Sequence, residues 1–91
     1  MIAYVFPTRD RHDDVRRTLM AIEAIGSHAA VGGAEVIIAD NASAIPLDVP
    51  GALRTGLPVR VLERKTNEAA AARNACVRAA SSPVEWIVML D

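Results

Sequence analysis

Aromatic side chains are nearly missing from this 91-residue chain: one Phe, one Tyr and one Trp make up 3% of it. Nucleic-acid binders of the stacking kind need rings on which bases can lie, and that class is excluded. A basic excess is lacking too. Ten Lys and Arg stand against eleven Asp and Glu, for a formal charge of -1, so polyanion binding by phosphate neutralisation has no support. The single cysteine, Cys76, rules out an internal disulfide, and no Cys/His spacing suits zinc. Glycine is absent from the stretch Pro7 to His12 after the first apolar run. The dinucleotide fingerprint and the Walker loop are therefore both missing, and dehydrogenases and P-loop NTPases fall away. No apolar run could span a bilayer, the longest, such as Val84 to Leu90, being strand-sized. The amino terminus opens on a strand-like run instead of a signal-type segment. The expected location is the cytoplasm, including the inner face of the membrane if segments beyond this sequence reach it.

What the chain does have is aliphatic mass: 52% of residues are apolar and the mean hydropathy is +0.22. Ala, Val, Ile and Leu must fill the core, and the length allows one domain at most. Ile2 to Phe6, Val36 to Ala39, Val59 to Leu62 and Trp86 to Leu90 are nearly continuous in apolar character, the mark of strands buried on both faces of a parallel sheet. Val15, Leu19, Ile22 and Ile25 recur at helical spacing, with Asp13 and Asp14 at the favourable end of the helix dipole and Gly26 as C-cap. A second, alanine-rich helix is expected over Glu68 to Ala80, capped by Asn67 and stopped by Ser81-Ser82-Pro83. Asn41 to Pro58, rich in proline and glycine, reads as an irregular excursion with room for one helical turn. The alternation specifies an α/β domain, a Rossmann-like parallel sheet with flanking helices and right-handed crossovers.

Ligands of such sheets sit beyond the carboxyl ends of the strands, so the polar residues just past each strand are the candidates. Pro7-Thr8-Arg9-Asp10-Arg11 follows the first strand. Pro7 breaks the ladder and turns the chain outward, leaving the Thr8 hydroxyl and the following backbone to meet a ligand; an ordinary turn is the alternative. Asp40 ends the second strand and can accept from ribose hydroxyls or a base N–H, or can instead organise an Asx-type turn with Asn41 and Ser43. Arg73, early in the second helix, offers a guanidinium to carbonyl or phosphate oxygens, a solvated helix arginine being the plainer alternative. Cys76 reads as a small core residue. His12 and His28 read as surface residues, Glu63 to Lys65 as a solvated strand exit, and Trp86 as the aromatic that seals the end of the core. Asp91 stands at the ligand edge of the fourth strand.

Together these segments resemble family 2 glycosyltransferases, the inverting enzymes of the GT-A fold, over the whole chain. Members open with a strand and Pro-Thr-x-x-Arg, here Val5 to Arg11. They continue with a strand ending in an acidic turn, here Val36 to Ser43, then an N-x-G-A-A-A-R-N-x-G segment, here Asn67 to Cys76. An aromatic-led strand then runs into a DxD motif, here Trp86 to Asp91. The resemblance implies the nucleotide-binding, N-terminal half of a GT-A domain, with strand order 3-2-1-4. It implies that Pro7, Thr8 and Arg9 line the nucleotide pocket, that Asp40 binds the base, and that Arg73 reaches the base or the phosphates. Asp91 would be the first Asp of DxD, touching ribose or the Mn2+ or Mg2+ ion that bridges the diphosphate. Ala69 and Cys76 replace the usual glycines, so helix and nucleotide approach less closely than in relatives.

On that resemblance the expected function is transfer of a sugar from a nucleoside-diphosphate sugar to an acceptor hydroxyl. Residues 1–91 would be a partial domain, cut at the DxD motif, supplying part of the nucleotide site and no catalytic residue, and inactive alone. The alternative is a non-catalytic nucleotide-binding or interaction domain of the same fold. A sugar nucleotidyltransferase would show a glycine-rich loop after the first strand, and Pro7 to His12 has none. With its last strand at an open edge, the chain is expected to self-associate through Trp86 to Leu90.

Overall fold

The computed structural model describes residues 1–66 and 70–90. The elements follow as β1 (Ile2–Thr8), α1 (His12–Ile25), a 3-10 turn (Ala29–Val31), β2 (Ala34–Asn41), β3 (Val59–Arg64), α2 (Ala70–Ala79) and β4 (Trp86–Met89). The four strands form one parallel sheet in the order β3-β2-β1-β4, as expected. The expected cap Asn67, the expected first helical residue Glu68, and Asp91 lie outside the described residues.

The strand period of two divides the core between the faces of the sheet. Tyr4 and Phe6 of β1 and Val36 and Ile38 of β2 join Val15, Leu19 and Ile22 of α1 in one buried cluster. Ala3 and Val5, with Ile37 and Ala39, face Ala72 and Cys76 of α2 in the other. Small residues on α2 and its facing strands let that helix lie close to the sheet, so alanine here is a packing choice as well as a helix former. Cys76 is fully buried, as expected for a core residue, and burial pushes its thiol pKa up against the pull of the Arg64 charge.

The structure corrects several expectations. β1 does not break at Pro7 but continues to Thr8, with Pro7 opposite Ala39. The Ile2 amide bonds the Gly33 carbonyl on the β2 side, whereas the Val5 carbonyl accepts from Leu90 on the β4 side. By alternation Pro7 also faces the β4 side, past the last β1–β4 pair at Val5 and Met89, so its missing N–H removes no ladder bond among the described residues. Ile25 does not share the buried stripe of α1 and is 59% exposed. At 3.6 residues per turn it lies roughly 80° from Val15, while Leu19 and Ile22 lie within about 40°. Gly26 ends α1 as expected, at φ 83°, its N–H bonded to the Glu23 carbonyl.

Among the described residues, 42–58 contains no helical turn. Leu53 donates to the Leu57 carbonyl across a tight reversal at Gly56, and Leu47, Leu53 and Leu57 are all buried in the α1-side cluster. Three leucines thus fix the excursion where prolines have removed backbone donors. His28 is not a surface residue: it is 7% exposed, and its Nε2 lies 2.8 Å from the Tyr4 hydroxyl. His12 is half-buried, with Nε2 2.7 Å from the Ile45 carbonyl oxygen. Trp86 seals nothing and is 71% exposed, because β4 is the sheet's edge and pairs only with β1 among the described residues. Glu63 and Lys65 are exposed at the strand exit, as expected, and Arg64 is half-buried.

Candidate functional site

The carboxyl ends of β1 and β2 open onto a groove of about 550 Å³, lined by Phe6, Pro7, Thr8, Arg9, Arg11, Asn41 and Arg73 with Asp14, Val15 and Thr18 of α1. That volume is in the range of small-molecule sites. Of the candidates, Pro7, Thr8, Arg9 and Arg73 meet there. The register carries Thr8 to the end of β1, and α2 brings Arg73 from the opposite face of the sheet in its first turn.

Asp40 is placed differently. It is 3% exposed, and its neighbour Asn41, rather than Asp40, lines the groove. Its Oδ1 accepts from the Ser43 amide at 3.3 Å and from the Ser43 hydroxyl, and its Oδ2 accepts from the Leu47 amide at 3.0 Å. The Asx-type turn, one of the two readings of this residue in the sequence, is therefore what the carboxylate forms.

The groove is electropositive. Arg9, Arg11 and Arg73 contribute three guanidiniums, and the one carboxylate among the lining residues, Asp14, is bonded to Arg17 at 2.8 Å. Arg9 has a long ion pair to Asp10, 3.9 Å, between half-exposed side chains, worth little in water. Planar guanidiniums are suited to bidentate contact with phosphate oxygens. Phe6, Pro7 and Val15 supply apolar surface beside them.

Arg11, Asp14, Thr18 and Asn41 are site residues that the sequence did not single out. A signal existed for three of them: residues 11, 14 and 18 recur at i, i+3 and i+7, one stripe of a helix. Arg11 is also the Arg of the Pro-Thr-x-x-Arg segment.

Among the described residues no group of three His, Cys, Asp or Glu side chains could hold a metal ion, and none of the helices is long and apolar enough to cross a membrane. Asp91, the candidate metal and ribose contact, lies outside the described residues.

A parallel sheet of order 3-2-1-4 with flanking helices defines a Rossmann-like α/β domain, with the arginine-lined groove at its carboxyl edge. The model of Glycosyl transferase family 2 matches residues 4–91. With nearly the whole sequence matched, the chain belongs to glycosyl transferase family 2, whose chemistry is glycosyl transfer. Comparisons with curated proteins and with solved structures find no match.

Proposed function

We propose that this chain forms the nucleotide-binding part of a glycosyltransferase that takes a nucleoside-diphosphate sugar as donor and an acceptor hydroxyl as its second substrate. The observation that carries the reading is the gathering of Arg9, Arg11 and Arg73 around Thr8 at the carboxyl edge of β1. A diphosphate is the anion that such a fan of guanidiniums favours most, since each can offer a paired set of N–H donors. Pro7, the half-buried one of the apolar lining residues, would take the face of the base, and Asn41 can both donate to and accept from its edge. Asp40 holds Asn41 and the following turn in place through its bonds to Ser43 and Leu47. Asp91 would contact ribose or the Mn2+ or Mg2+ ion implied by the family resemblance. The described residues offer no ligand set for that ion, and none of the contacts proposed for them needs one.

No residue of 1–91 is assigned to the chemical step, so the chain is expected to bind donor without turnover. Calorimetric titration with UDP, GDP and dTDP tests the reading. One of them should bind, and Arg73→Ala should weaken that binding at least about tenfold, the loss of one charged contact. Binding unchanged by Arg73→Ala would remove this site.

A further inference from the structure

Two loops meet at the ligand edge, and the Ser43 side chain bonds in both. Ser43 Oγ accepts from the Asp10 amide at 2.9 Å and donates to Asp40 Oδ1. A hydroxyl has one proton and two lone pairs, so Ser43 is used in both directions, as donor within its own loop and as acceptor from the loop after β1. Asp10 reinforces the junction by accepting the Ala44 amide on its Oδ1 at 2.8 Å, and His12 Nε2 reaches the Ile45 carbonyl oxygen. Backbone conformation points to the same place. Asp10 at φ 53° and Ala42 at φ 57° are the non-glycine residues with positive φ among those described, one in each loop, beside the shared bonds. Such backbone is strained for a residue with a Cβ and persists only where its surroundings hold it.

Arg9 and Arg11 line the groove from the loop after β1, and Asn41, the last residue of β2, lines it where the second loop begins, with α1 and Arg73 completing it. The β1–β2 ladder fixes their roots and ends at Thr8 and Asp40. Beyond that pair, the Asp10–Ser43–Asp40 chain spans the gap beside the Asp10–Ala44 and His12–Ile45 bonds, and it alone reaches back to the carboxylate at the end of the ladder.

We propose that Ser43 is a positioning residue: by bridging Asp10 and Asp40 it sets the spacing between the arginine wall and the Asn41 wall, pre-organising the groove for a nucleoside diphosphate. Loops already held need no ordering on binding, and affinity gains accordingly. The ligand in this inference rests on the function proposed above, whereas the bridge rests on the hydrogen bonds alone.

The full chain, Ser43→Ala and Ser43→Thr are compared by amide hydrogen exchange without ligand and by calorimetry with UDP, GDP and dTDP. In Ser43→Ala the Asp10 and Ala44 amides should exchange about tenfold faster while the strands keep their protection. Nucleotide affinity should fall about tenfold, as for one charge-assisted hydrogen bond. Ser43→Thr keeps the hydroxyl and should restore both. Exchange at Asp10 and Ala44 unchanged by Ser43→Ala overturns the bridge. Faster exchange with unchanged affinity overturns the positioning role and leaves a structural tether. A wild type that binds none of the three nucleotides overturns the functional reading and the positioning role with it, while the exchange data still decide whether the bridge exists.

Discussion

Thr8 and Asp40 are register partners at the carboxyl ends of β1 and β2, and they part in role where the sheet ends. Both are buried, but Thr8 lines the groove, while the Asp40 carboxylate is bonded to the turn that begins behind it. The edge of this sheet therefore has a contact side and a supporting side one strand apart. Substitutions at neighbouring positions should separate binding from stability.

Asp40→Ala should destabilise the chain by about 3 kcal/mol, because it strands the amides of Ser43 and Leu47 that now donate to a buried carboxylate. Urea denaturation measures this directly. A loss under about 1 kcal/mol would mean that the turn does not depend on the carboxylate.

Glu35 should make stability fall in acid. It is 3% exposed near the start of β2, and it accepts from the Ser81 amide at 2.8 Å and the Ser81 hydroxyl at 2.6 Å, with Arg60 Nη2 at 3.4 Å. Burial pushes its carboxyl pKa up, but the Ser81 and Arg60 donors outweigh burial and hold it below the usual 4.5. A depressed folded pKa means that the ionised form is favoured by folding. Its stabilisation is complete above the usual value and is lost as pH falls through the folded one. Glu35→Gln should cost about 2 kcal/mol at neutral pH and flatten the decline below pH 4.5. Parallel stability curves for the two proteins would contradict this.

The parallel sheet and its two-faced burial were legible in the sequence because each depends on apolar pattern, which Val36 to Ala39 and Val15 to Ile22 display plainly, whereas the strand order rested on the family resemblance. The groove was legible only in part. Pro7, Thr8, Arg9 and Arg73 could be placed by their position after a strand or early in a helix. Asn41 could not be told from Asp40, since which of two adjacent polar residues faces a ligand depends on a turn closed by Ser43 and Leu47. The burial of His28 and the exposure of Trp86 escape the sequence for a related reason. Burial of a single ring depends on what it packs against: His28 meets the Tyr4 ring and hydroxyl, and Trp86 stands at an edge that the described residues leave uncovered.

β4 should drive self-association. Trp86 and Met89 are 71% and 49% exposed on a strand paired on one side only among the described residues, and bare apolar edges recruit further strands. Light scattering should show mass rising with concentration, and Met89→Lys should reduce it by placing a charge on the edge. A monomer stable at high concentration would count against this.

The central claim is that the carboxyl edge of the sheet is a nucleotide site, and mapping amide NMR shifts during titration with the best-binding nucleoside diphosphate tests it most directly. The largest shifts are predicted at Thr8, Arg9, Arg11, Asn41 and Arg73, with Ser27 to Ala34 and Thr55 to Leu57, at the opposite end of the sheet, unmoved. Shifts concentrated at that opposite end, or none at any nucleotide concentration, would contradict it.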